Sequence, residues 1–135
     1  MLTYQQQSSD GGQQVGFMNQ ALHVDAFVSM KPHTLAPALI PGALQTAMAS
    51  KATQRQNASG FRMLADTAER KLVGDRQALR VEAEYYTDAG VPMVEYHTWV
   101  KTEKTQAYIS ARVPAREFRN VKDRIDSLIA GFSIP

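Results

Sequence analysis

A chain of 135 residues with a formal charge of +2 and 44% hydrophobic residues has one-domain length and enough apolar material for a core. Its lack of cysteine excludes disulfides, thiolate metal sites and cysteine nucleophiles. The small charge, with no basic stripe, argues against a nucleic-acid partner, and no apolar run approaches the ~20 residues of a membrane-spanning helix.

Residues 1–14 are rich in Gln, Ser and Gly, lack periodicity, and read as a flexible segment ahead of one α+β domain over 15–135. They carry neither the basic start nor the apolar run of a signal peptide. A cytoplasmic protein fits them, and so does a periplasmic one whose signal or lipid anchor has been removed.

Leu22, Val24, Ala26 and Val28 alternate with His23, Asp25, Phe27 and Ser29, which predicts a strand over 21–30. Pro32, Pro37 and Pro41 keep a regular helix out of the next connection. Over 43–58 the residues favour helix, and Leu44, Ala47, Met48, Lys51 and Arg55 share one face. That face is thin and alanine-rich, so this helix should lie close against a sheet. Gly60 is the candidate residue for closing it.

The period then changes to two. Residues 61–65 and 69–73 read as two extended pieces, followed by a turn over 74–77. A strand over 79–86 sets Leu79, Val81, Ala83 and Tyr85 against Arg80, Glu82, Glu84 and Tyr86. After a turn over 87–90, residues 92–101 and 106–113 form two more strands. Pro114 fits the first turn of a closing helix. Phe118, Val121, Ile125, Leu128, Ile129 and Phe132 mark its apolar face, and Gly131 ends it. Hairpin-linked strands before a final helix predict an α+β fold: a central antiparallel sheet with helices packed on it.

The element order over 71–134 resembles the superfamily of photosystem accessory PsbP proteins, the Ran-binding Mog protein and the DcrB-type lipoproteins. Leu72-Val73-Gly74 and Ala78 precede a strand running to Tyr85, and a hairpin leads to Val94-Glu95-Tyr96-His97-Thr98-Trp99-Val100. Then come Ala107-Tyr108-Ile109-Ser110-Ala111, a proline, and a helix ending Ile129-Ala130-Gly131-Phe132-Ser133-Ile134. The resemblance implies helices on both faces of the sheet. It also implies a non-enzymatic role, as assembly factor, envelope lipoprotein or cytoplasmic chaperone of secreted effectors. It brings no catalytic residues to carry over.

Glu95 and His97 share a strand face and offer two metal ligands, with Glu82 and Glu84 as candidate neighbours. A solvated polar face is the weightier reading, so no metal and no cofactor are expected. Tyr86, Trp99 and Tyr108 could line a pocket with them, although aromatics more often cover a sheet beneath a helix. Arg112, Arg116, Arg119, Lys122 and Arg124 interleave with Glu117, Asp123 and Asp126, as on a solvated helix. No Ser/His/Asp grouping has motif context, and Gly11-Gly12 lacks the Lys of a phosphate loop.

The sequence therefore points to a non-catalytic protein-binding or assembly module, an accessory or chaperone-like protein of the bacterial envelope or a secretion apparatus. Tyr86, Glu95, His97 and Trp99 form the expected partner surface. On that expectation, truncating Trp99 and His97 together abolishes partner capture and leaves the fold intact. The alternative is a small hydrophobic-ligand carrier, with a cavity between the sheet and the helix over 43–58.

Overall fold

Period-two alternation in the second half of the chain translates directly into strands in a computed structural model, which describes residues 2–7, 13–19, 24–132 and 134. The elements in chain order are β1 (Leu2–Gln7), β2 (Gln13–Asn19), β3 (Val24–Pro32), α1 (Ile40–Arg55), β4 (Arg62–Val73), β5 (Arg76–Tyr86), β6 (Pro92–Lys101), β7 (Thr105–Pro114) and α2 (Ala115–Ala130). All seven described strands join one antiparallel sheet in the order β1-β2-β3-β7-β6-β5-β4. The fold is α+β, with α1 on one sheet face and α2 on the other.

Helix α2 buries Phe118, Val121, Ile125 and Ile129, the 3.6-residue stripe legible in the sequence. They pack with Val28, Ile109 and Val113 on the face formed by even-numbered β3 and odd-numbered β7 side chains. Leu128, expected on that stripe, is exposed. On the opposite face Ile40 and Leu44 of α1 meet Leu79, Val81 and Trp99. Helix α1 therefore sits over β5 and β6.

Several boundaries differ from expectation. Leu2–Gln7 forms a strand where residues 1–14 read as flexible, and a second strand, Gln13–Asn19, starts at the end of that segment. Pairing is a backbone interaction, and polar side chains leave no apolar period to detect. The expected strand start at Ala21 to His23 lies outside the described residues, as do Gly11-Gly12, Ser133 and Pro135. Helix α1 begins earlier than expected, at Ile40, because Pro41 occupies its first turn, where a missing donor is harmless. It ends at Arg55, and Gly60 closes the connection at φ 62°, with the Tyr86 ring where a Cβ would stand.

The two extended pieces over 61–65 and 69–73 are one strand interrupted by a bulge between Leu64 and Glu69. The Thr67 hydroxyl holds the bulge. It donates to the Leu64 carbonyl at 2.7 Å and accepts the Glu82 amide at 2.9 Å.

Candidate functional site

Strand register decides which side chains meet. Glu95 lies opposite Arg112, His97 opposite Ser110, and Trp99 opposite Tyr108. Across the other edge of β6 they face Ala83, Val81 and Leu79. These residues share the sheet face that carries α1, from which Lys51 and Arg55, one turn apart, point to the sheet.

Glu95, 1% exposed, sits at the centre. Arg55 grips its carboxylate in a fork, Nη2 to Oε2 at 2.5 Å and Nε to Oε1 at 3.3 Å. Arg112 Nε lies 3.4 Å from Oε2, and His97 Nε2 lies 3.1 Å from Oε1. His97 Nδ1 is 2.6 Å from the Tyr108 hydroxyl. The rings of His97, Trp99 and Tyr108 stack with centroids 5.5 to 5.8 Å apart.

The electrostatics fix the protons. Burial lowers the His97 pKa, and Lys51 and Arg112 add to that against the opposing pull of Glu95, so the imidazole is neutral. Burial pushes the Glu95 carboxyl up, but bonds from His97 and Arg55 outweigh it and hold the group below its usual range. A carboxylate only accepts, so His97 Nε2 carries the proton and donates to Glu95. The bare Nδ1 then accepts from Tyr108, whose phenol burial pushes up to about 12. This Tyr–His–Glu chain superficially resembles a catalytic relay. Its terminal hydroxyl is protonated and donates to the His97 imidazole.

The acid sensitivity of the fold follows. His97 has a depressed pKa in the native state, so its contribution is full above the unfolded value near 6.5 and declines as pH falls below it. Glu95 and Asp126, also depressed, lose theirs at lower pH, from about 4 downward. Urea midpoints should therefore fall in two stages on acidification, and His97→Gln should remove the upper stage. An unchanged profile in that variant contradicts the assignment.

Of the four residues expected at a partner surface, the structure unites three. Glu95, His97 and Trp99 form a buried cluster beneath α1, with His97 1% and Trp99 5% exposed. Their side chains are core, so truncating Trp99 and His97 together would damage the fold and cannot report on capture alone. Tyr86 lies on the opposite face of β5, 48% exposed, against Gly60. Glu82 and Glu84 also point to that opposite face, paired in register with Tyr96 and Val94. Glu95 and His97, considered from sequence as a pair of metal ligands, bond here to each other, Arg55 and Tyr108. Sequence reasoning missed Lys51, Arg55 and Arg112 as site residues. The available signal was two cations on the apolar face of α1.

The accessible part of the site lies beside this cluster. Because α1 packs chiefly on β5 and β6, the same face of β7 and β3 stays open alongside it. A groove of about 850 Å³ results, with Gly42, Ala43 and Ala47 of α1 as a low wall and Trp99 and Tyr108 as floor. Lys31, Lys51 and Lys101 stand along it. A second pocket of about 350 Å³, lined by Arg112, Ser110 and Asp25, shares Lys51 and Tyr108 with the groove.

No protein-family model matches the chain, and no curated protein matches it. Among solved structures, it resembles the crystal structure of PA94, a protein of unknown function from Pseudomonas aeruginosa. That likeness has a TM-score of 0.62 at 8% identity and covers 98% of this chain and 86% of the other. It also resembles LpqN, involved in cell envelope biogenesis of Mycobacterium tuberculosis, with a TM-score of 0.57 at 14% identity, covering 92% and 78%. At these identities the likeness shows the fold. No helix among the described residues is long and apolar enough to cross a membrane.

Proposed function

We propose that this chain is a non-catalytic binding module that holds a segment of a protein partner in the groove between α1 and β7. Its role is that of an accessory or chaperone-like protein of the bacterial envelope or of a secretion apparatus, within the PsbP, Mog and DcrB superfamily. The observation that carries this is the open groove beside a rigid, fully bonded core cluster. Rigid support beneath an accessible trough is what a binding surface needs, since little ordering cost falls on the site itself. The envelope link of LpqN supports the setting.

Ala43 lines the groove on α1, and a larger side chain there occupies the trough. Ala43→Phe is expected to abolish capture of the partner from lysate of the native host while the melting temperature stays within a few degrees. Undiminished capture by the folded variant would remove the groove from the account.

The low wall of Gly42, Ala43 and Ala47 also favours a second reading, a carrier of a small hydrophobic ligand. Stoichiometric binding of a hydrophobic fluorophore, competed by Ala43→Phe, would favour the carrier.

A further inference from the structure

Charge is distributed unevenly along the groove. Among the described residues, its lining holds Lys31, Lys51 and Lys101 and no Asp or Glu. Building on the groove as binding site, we infer that its occupant is an acidic peptide segment, with carboxylates at Lys51 and Lys101 and an apolar side chain on the half-buried Tyr108 ring that stacks on Trp99.

Lys51 makes no salt bridge with a described residue, and its ammonium lies 4.5 Å over the Tyr108 ring. Burial lowers its pKa, and Arg55 and Arg112 add like-charge pressure that Glu95 only opposes. Lys101 shares the sheet face of Trp99, and its ammonium donates to Gln106 Oε1 at 2.7 Å. Burial lowers Lys101 too, and Lys31 adds to the effect. A carboxylate entering the groove offsets this crowding at both positions, a complementarity that also steers encounter.

The polar groups select a peptide over an aliphatic acid. Thr46, Ser50 and Gln54 recur every fourth residue, so they line up along the groove side of α1. Gln106 stands among the opposing residues from β7. From Thr46 to Gln54 the helix rises about 12 Å, the length of roughly four residues of extended chain. Such a row of amides and hydroxyls matches a peptide backbone and leaves a hydrocarbon tail in contact with polar groups.

The test is to pan the intact chain against a random dodecapeptide library. Enriched peptides should combine Asp or Glu with an apolar residue, and synthetic copies should shift the emission of Trp99, the one tryptophan of the chain. Their affinity should fall at least tenfold in a Lys51→Met, Lys101→Met double variant of unchanged melting temperature. It should also weaken markedly between about 0.05 and 0.5 M salt. Failure to enrich peptides, enrichment without acidic bias, or full affinity in the double variant overturns the inference. So does dodecanoate shifting Trp99 where the peptides do not, which assigns the groove to an amphipathic acid. Non-acidic peptides that bind the native chain and are lost in Ala43→Phe would sink the acidic chemistry alone and leave the groove standing.

Discussion

Glu95→Gln is expected to destabilise the protein by about 3 kcal/mol, near the lower end of the range for breaking a buried ion pair. The carboxylate is enclosed, and Arg55, Arg112 and His97 all direct donors at it. An amide in its place turns an NH2 group toward donors and leaves the cations near α1 without their counter-charge. Arg55 is a quarter exposed and Arg112 about half, so both can turn partly to water, which keeps the loss from being larger. Because Arg55 comes from α1 and Glu95 from β6, the pair fastens the helix to the sheet. A double-mutant cycle with Arg55→Met should show a coupling of roughly 1–3 kcal/mol in urea unfolding. Additive losses would mean that the two side chains do not act together.

A second large effect is expected on the other face. Asp126→Ala should cost about 3 kcal/mol, because it strands Arg80, 6% exposed, beneath α2. Arg80 Nη1 donates to Asp126 Oδ1 at 2.8 Å, and the Tyr96 hydroxyl donates to the same oxygen at 2.7 Å. Without Asp126 the guanidinium keeps Thr98 Oγ1, at 3.1 Å, and the phenol loses its acceptor. Asp126→Asn retains an oxygen and should cost less. Replacing Arg80 and Asp126 together by Met and Leu should recover most of the stability, since an apolar pair carries no charge to desolvate. If the double replacement is as unstable as Asp126→Ala, the loss arises from packing and not from the stranded charge.

The fold was legible where packing imposes a period. The β6 boundaries and the four buried positions of α2 follow from alternation and from 3.6-residue spacing. Backbone pairing without an apolar signature was not, as the glutamine-rich β1 shows. The bulge at Thr67 was visible only as a break between two extended pieces, because one hydroxyl bonding two backbone groups leaves no periodic trace.

The site was legible in part. Glu95, His97 and Trp99 follow from sharing a strand face, and Trp99 reads as an aromatic covering the sheet beneath a helix; the interiority of Glu95 and His97 does not follow, because polar residues on a strand read as solvated. What buries them is α1, whose Arg55 arrives from 40 residues earlier in the chain. Sequence alternation orders side chains within a strand but says nothing of which helix face lands above them. Tyr86, placed with the aromatics by type, falls on the other face by parity.

The most direct measurement is photo-crosslinking in cells of the native host, with the crosslinker placed at Ser50 in the groove wall or at Arg124 on the exposed side of α2. The account predicts one protein adduct from Ser50 and none of the same mass from Arg124, with the crosslink lost when Ala43→Phe is added. Adducts formed equally from both positions, or from Arg124 alone, would contradict the groove as the binding site.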